Sequence, residues 1–179
     1  MTSPTNEIAA ILPPSPWLIA QAVHLPLAGC ILDLACGSGR HARYLAGQKH
    51  PVFAVDRNSE AISALQGLPG IEAEVMELEG EEWPLAGQQF AGIVVTNYLW
   101  RPRLPDLLSL LAPGGVLIYE TFMLGNEAYG KPSRPDFLLR PGELRELATA
   151  AGLRVIDFVE GYVDRPKPAM RQAICAVRD

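Results

Sequence analysis

The chain has 179 residues, 49% of them hydrophobic and 20% charged, with 15 Lys and Arg against 20 Asp and Glu and a formal net charge of −5. That length suits one ordinary domain, and so much apolar content buries a core able to offset the ordering entropy of the chain, which excludes disorder. No run of about 18 apolar residues occurs, which excludes a membrane-spanning helix, and the acidic balance disfavours non-specific nucleic-acid binding.

Residues 1–16 read as a flexible, Pro-rich lead-in. Arg40 is the first Lys or Arg of the chain, and Pro13, Pro14 and Pro16 break the only apolar run near the start, so a signal peptide is a poor reading. Ser15 followed by Pro16 has the form of an N-cap with Pro at the first helical position, predicting a helix to about His24. Short apolar runs and amphipathic stretches then alternate. Strands are predicted at 30–35, 52–56, 72–76, 90–96 and 116–122, and helices at 40–48, 59–65, 104–111 and 141–151. Two more strands, 153–163 and 170–177, are joined by a turn too short for a parallel crossover, so they pair antiparallel. The expected fold is an α/β, Rossmann-like, doubly wound sheet of seven strands in three α/β/α layers. It is mostly parallel, with an antiparallel C-terminal strand, and 1–179 forms a single domain.

Cys30, Cys36 and Cys175 are odd in number and sit in apolar stretches, which suits reduced thiols and a cytoplasmic location. His24, His41 and His50 lack metal-ligand spacing, so no metal site is expected.

The most informative stretch is Ile31-Leu-Asp-Leu-Ala-Cys-Gly-Ser-Gly-Arg-His-Ala42. A strand runs into Gly37 and Gly39 and then directly into a helix, whose first N–H groups are free to meet a ligand. Seventeen residues after Gly39 the next strand ends in Asp56, a carboxylate placed for ribose hydroxyls at the carboxyl edge of the sheet. Together these point to an adenosine-bearing cofactor. Gly37 to Ala42 also satisfies the dinucleotide pattern G-x-G-x-x-A. Against NAD stand the absence of a Tyr four residues before any lysine, the lack of a second domain for a substrate, and Asp33. The Asp33 carboxyl, inside the first strand, is placed to hold the amino group of a cationic cofactor and the glycine loop. An NAD-type oxidoreductase and a non-catalytic cofactor-binding domain remain the alternatives.

With these residues in view, the sequence resembles the class I S-adenosylmethionine-dependent methyltransferases. Residues 31–39 look like the family's first motif and 52–56 like its second. Glu77-Leu78-Glu79 matches the acidic position near adenine, 94–98 the fourth-strand motif, and Leu111-Ala-Pro-Gly-Gly-Val-Leu-Ile-Tyr119 the element leading into the fifth strand. Ala35 stands where the family usually has its first glycine, and Glu77 where Asp is more usual. The blocks 96–102 and 125–142 look most like a subgroup of small bacterial members, tellurite-resistance-like proteins among them, of undefined substrate. The resemblance implies an S-adenosylmethionine cofactor, leaving as S-adenosylhomocysteine, held by Asp33, Ala35, Gly37, Ser38, Gly39, Asp56, Arg57, Glu77, Leu78 and Asn97. It also implies a small-molecule acceptor, whose identity and the oligomeric state stay open.

Residues 125–132 nearly match a Walker phosphate loop, but Pro132 replaces the Ser or Thr that holds Mg²⁺, so ATP hydrolysis is rejected. Residues 123–140 instead read as a lid. Trp17, Tyr98, Arg101, Tyr129, Lys131 and Arg134 are the candidate acceptor contacts, and Asn97, Tyr98 and Glu120 the candidate catalytic groups. Strand alternation predicts that Tyr119 and Glu120 face opposite sides.

Overall fold

The structure, a computed structural model, describes residues 12–179. Helix α1 (Pro16–Gln21) begins as its sequence requires: the Ser15 hydroxyl accepts from the N–H of Trp17 and Leu18, and Pro16 supplies the preset first turn. A single 3₁₀ turn then carries the chain to His24. Residues 1–11 of the expected lead-in lie outside the described residues. From Pro13 onward the segment is tied down: Nη1 of Arg40 donates to the Pro13 carbonyl at 3.0 Å, and the buried Ser15 N–H donates to His41 Nε2 at 3.2 Å.

The strands are β1 (Ile31–Leu34), β2 (Val52–Asp56), β3 (Ile71–Val75), β4 (Phe90–Thr96), β5 (Leu111–Phe122), β6 (Arg154–Val163) and β7 (Ala169–Val177). They form one sheet in the order β3-β2-β1-β4-β5-β7-β6. The pairs β1–β2, β1–β4, β2–β3 and β4–β5 are parallel, while β7 runs antiparallel to both β5 and β6. The chain leaves β1 toward one edge and returns through β4 on the other side, placing the topological switch point between β1 and β4.

Helices α2 (Arg40–Gly47), α3 (Ser59–Ser63), α4 (Leu104–Ser109) and α5 (Glu143–Ala150) complete the layers. Strand alternation divides the core. Ile31, Val52, Ala54, Val94, Ile118 and Cys175 pack with α1, α2 and α3 on one face. Leu32, Phe53, Val55, Ile93, Tyr119 and Ile174 pack with α4 and α5 on the other. The inner strands are buried on both faces, which accounts for their unbroken apolar runs. The two edge strands, β3 and β6, are largely exposed.

One element differs from the pattern reading. β5 starts at Leu111 because that residue pairs with Phe90; four residues, Ala-Pro-Gly-Gly, then loop out before Val116 resumes pairing with Gly92. No helix lies between β3 and β4. There Leu78 and Leu85 fill the layer, and Arg103 fastens the segment by stacking over Trp83 and donating to the carbonyls of Gly80 and Glu81.

Candidate active site

The carboxyl ends of β1, β2 and β4 converge on a cleft of about 250 Å³, lined by Ala35, Asp56, Arg57, Met76, Glu77, Leu78, Glu79, Asn97 and Tyr98. The loop after β1 gets its shape from its small residues. Gly37 and Gly39 have φ of +54° and +72°. A Cβ on Gly39 would stand 2.4 Å from the Leu65 side chain, so this glycine is demanded by both conformation and close approach. Ala35 is also left-handed, at φ +53°, where an alanine is strained. Replacing Ala35 by Gly is expected to raise stability by about 0.5–1 kcal/mol, the relief of strain exceeding the added freedom of the unfolded chain. Urea denaturation at constant m checks it; a loss of stability would contradict the strain argument.

Two carboxylates hold the loop. Asp33 is 1% exposed and its Oδ2 accepts from the Ala42 N–H at 2.9 Å, tying β1 to the first turn of α2. Burial pushes its pKa up to about 7, opposed by the Ala42 hydrogen bond and Arg40 and assisted by Asp56. The Asp56 carboxylate accepts from the Gly37 N–H at 2.8 Å and the Asn58 N–H at 2.9 Å, so the tip of β2 braces the glycine loop. It also faces the cleft, with lone pairs left for ribose hydroxyls.

Glu77 lines the cleft while its Oε1 accepts from the Glu79 N–H at 2.9 Å, a local turn that presents both side chains. Tyr98 adds a wall. Its buried hydroxyl has no hydrogen-bond partner among the described residues, and burial, reinforced by Glu79 and Glu77, drives its pKa above the usual tyrosine range. Tyr119, buried on the opposite face from Glu120, donates to the Tyr98 carbonyl at 2.8 Å and so fixes that wall. Asn97 ends β4 at φ +58°, a conformation Asn tolerates.

Of the expected cofactor residues, Ala35, Asp56, Arg57, Glu77, Leu78 and Asn97 therefore meet at one cleft, and Asp33, Gly37, Ser38 and Gly39 frame it from the loop and helix start. The expected acceptor contacts are dispersed. Tyr98 lines the cleft, but Trp17, Arg101, Tyr129, Lys131 and Arg134 do not. The Trp17 ring lies against β7, its Nε1 donating to the Ile174 carbonyl at 3.3 Å. Arg101 is committed to the protein: it meets Glu143 through Nε at 2.7 Å and Nη2 at 2.9 Å, and donates to the carbonyls of Asp136 and Leu138. Tyr129 packs on Tyr162 of β6, with ring centroids 5.4 Å apart, and Arg134 pairs with Asp136 in solvent. The segment 123–140 is pinned to the terminal hairpin by buried Asn126, which accepts from the Met170 N–H at 3.1 Å and donates to the Pro132 carbonyl at 2.9 Å.

Residues the sequence did not single out also build the site. His41, at the start of α2, accepts the Ser15 N–H, and burial and Arg40 lower its pKa to about 3, so it stays neutral as an acceptor. Arg171 of β7 donates to Asn97 Oδ1 at 2.7 Å and meets Glu120 Oε2 at 3.3 Å. A charged residue inside a largely apolar terminal strand was the available signal. Among the described residues no cluster of His, Cys, Asp and Glu is placed to hold a metal ion.

Fold and cleft together define a Rossmann-like domain that offers carboxylates and a glycine loop to a cationic, adenosine-bearing cofactor. The sequence matches the family model described as a methyltransferase domain over residues 31–115, the span that holds the glycine loop, both bracing carboxylates and the β4 tip. No curated protein matches the sequence. Among solved structures, a methyltransferase described as S-adenosylmethionine-dependent from Methanosarcina mazei is 19% identical, with a TM-score of 0.68 over 93% of this chain and 99% of that one. TehB from Haemophilus influenzae is also 19% identical, with a TM-score of 0.72 over 91% of this chain and 61% of TehB. The 1,6-didemethyltoxoflavin-N1-methyltransferase of Burkholderia thailandensis, solved with bound 1,6-didemethyltoxoflavin and S-adenosylhomocysteine, is 22% identical, with a TM-score of 0.69 over 91% of this chain and 76% of that one. The structural likenesses bear on the fold, and the family match bears on the motif span. Residues 31–115 are thus similar to a methyltransferase domain, within a fold shared with these solved structures.

Proposed function

We propose that this domain transfers the methyl group of S-adenosylmethionine to a small molecule in the cytoplasm. The observation that carries the cofactor reading is the Asp56 carboxylate, which braces the Gly37 N–H and faces the cleft at the tip of β2. The cleft fits the group: carboxylates complement a sulfonium cation, and the loop's positive φ angles bring backbone close to the ligand. When bound, the cofactor supplies an activated methyl carbon, so the protein's part is to hold the acceptor in line with the C–S bond in a dry site. Asp33 and Asp56 would fix the two ends of the cofactor, and Asn97 and Tyr98 would wall the methyl end. The acidic cleft and net charge of −5 favour a small acceptor over a polyphosphate chain. Three free thiols support the cytoplasmic setting.

Calorimetry with S-adenosylhomocysteine and with NADH tests the cofactor. Binding of the first and not the second is expected, and the reverse would overturn the reading. Asp56→Ala should weaken S-adenosylhomocysteine binding by about 1–3 kcal/mol through lost hydroxyl bonds and a loosened loop. An unchanged dissociation constant would remove Asp56 from the site.

A further inference from the structure

The Asn97 amide is held from behind. Its backbone N–H donates to the Glu120 carbonyl at 3.0 Å, and its Oδ1 accepts from Arg171 Nη2 at 2.7 Å. Arg171 has little room to turn away. Its side chain is 16% exposed, its guanidinium carbon lies 4.5 Å from the centre of the Phe122 ring, and the same Nη2 meets Glu120 Oε2 at 3.3 Å. Every nitrogen of a guanidinium is a donor, so the only atom Asn97 can turn toward it is its oxygen. The flipped amide would set N–H against N–H, which decides the orientation by charge rather than by shape. Asn97 is exposed and lines the cofactor cleft, and the Arg171 contact is its only side-chain hydrogen bond among the described residues. With Oδ1 committed to β7, the polar atom left for the cleft is Nδ2, with both of its hydrogens free.

We infer that Arg171 is a positioning residue that sets acceptor specificity through Asn97. By holding the amide oxygen it makes the tip of β4 a hydrogen-bond donor, which selects a methyl acceptor that presents a lone pair there over one that presents N–H. The favoured class is an aromatic ring nitrogen, or an ionised oxygen or sulfur; the disfavoured class is a protonated amine. The Arg171 charge strengthens the Nδ2 donors through the amide, because hydrogen bonds in a chain polarise one another. A hydrogen bond to the charged form lowers a pKa, so the same donors favour the ionised state of a phenol or thiol. Such an acceptor needs no base in the transfer step. Its lone pair forms the bond to the methyl carbon while the C–S pair passes to sulfur, and no proton has to leave. A protonated amine would instead face two donors with its own donors unpaired, which is a penalty aimed at the wrong substrate. This inference rests on the methyltransferase reading and narrows its substrate class.

The test uses the full chain and two cofactor analogues, S-adenosylhomocysteine and sinefungin, which carries an ammonium group where the cofactor carries its methyl. Calorimetry gives the ratio of their dissociation constants. In the wild type sinefungin should bind at least fivefold more weakly than S-adenosylhomocysteine, because its ammonium meets the Nδ2 donors. Arg171→Met frees the amide to turn its oxygen inward, and sinefungin should gain at least fivefold relative to S-adenosylhomocysteine. Arg171→Lys keeps a donor-only partner for Oδ1 and should hold the wild-type ratio within twofold, a rescue that a merely structural role would not produce. In an Asn97→Ala background, adding Arg171→Met should change the ratio by less than twofold. If Arg171→Met alone does not fold, its combination with Glu120→Gln, which leaves no stranded carboxylate, takes its place. Tighter binding of sinefungin than of S-adenosylhomocysteine by the wild type, or an unchanged ratio in Arg171→Met, would overturn the inference. So would a fivefold gain that persists without the Asn97 amide, since it would report lost charge alone. Failure of the wild type to bind S-adenosylhomocysteine would instead strike the cofactor reading.

Discussion

Replacing Asp33 by Asn is expected to stabilise the ligand-free protein at pH 8 while weakening S-adenosylhomocysteine binding by about 10–100-fold. Both effects come from one buried carboxyl. Its pKa is about 7 in the fold against about 3.9 in an unfolded chain. Between those values the folded state holds a proton that the unfolded state does not, so stability falls as pH rises from about 4 to 7 and declines no further above. At pH 8 the whole cost is present, on the order of 4 kcal/mol. Asn keeps an acceptor for the Ala42 N–H without the charge, and a rise in melting temperature of about 8–16 °C follows. The same charge is what the cofactor's ammonium group would use, a charge-assisted bond that the amide replaces poorly. In the wild type, affinity should therefore climb about tenfold per pH unit up to about 7 and then level off, whereas Asp33→Asn should show a flat profile. Calorimetry from pH 5.5 to 8.5 reads both. A variant that binds as tightly as wild type, or a wild-type profile without slope, would remove Asp33 from the cofactor site.

Asp33 also shows what kind of information a sequence holds. Its place four residues before Gly37, and that of Asp56 at a strand end, follow from strand period and turn chemistry, which are local. Hence the seven strands, the antiparallel terminal pair and the convergence of these residues on one cleft were legible. The extension of β5 back to Leu111 was not, because Pro113, Gly114 and Gly115 read as a turn and only the pairing with Phe90 shows that the strand begins before it. The acceptor side was illegible for a stronger reason. Arg171 reaches Asn97 across 74 positions of sequence, and its place in the terminal strand hints at burial without naming that partner. Arg101 gave the opposite error of emphasis. It stands just after the β4 tip, where a binding role is reasonable, yet its donors are taken by residues from 136 to 143 that only the fold brings near.

Arg101→Ala should lower stability by about 2–3 kcal/mol and leave S-adenosylhomocysteine affinity unchanged. Glu143 is 3% exposed at the start of α5. Burial alone would raise its pKa, but bonds from Arg101 and from the Arg140 N–H, aided by both positive charges, hold it below the usual glutamate range. A depressed carboxylate contributes stability above its unfolded pKa and loses it as pH falls through the folded one, so the clamp works at neutral pH and fails in acid. Removing Arg101 strands that carboxylate and frees the carbonyls of Asp136 and Leu138. Breaking a buried pair costs about 3–5 kcal/mol; Arg101 is about one-third exposed, with a side-chain exposure of 34%, and solvent screening brings the figure to the lower end. The melting temperature should drop by about 5–10 °C, and amide exchange should quicken across 123–140. The cofactor is spared because no residue of that segment lines the cleft. Replacing both partners, as Arg101→Met with Glu143→Leu, should recover at least half of the loss, since no charge is then left buried alone. If the single variant lost cofactor affinity as steeply as stability, the segment would belong to the active site, and if the double variant were no more stable than the single, the cost would lie in the two carbonyls rather than in the stranded carboxylate.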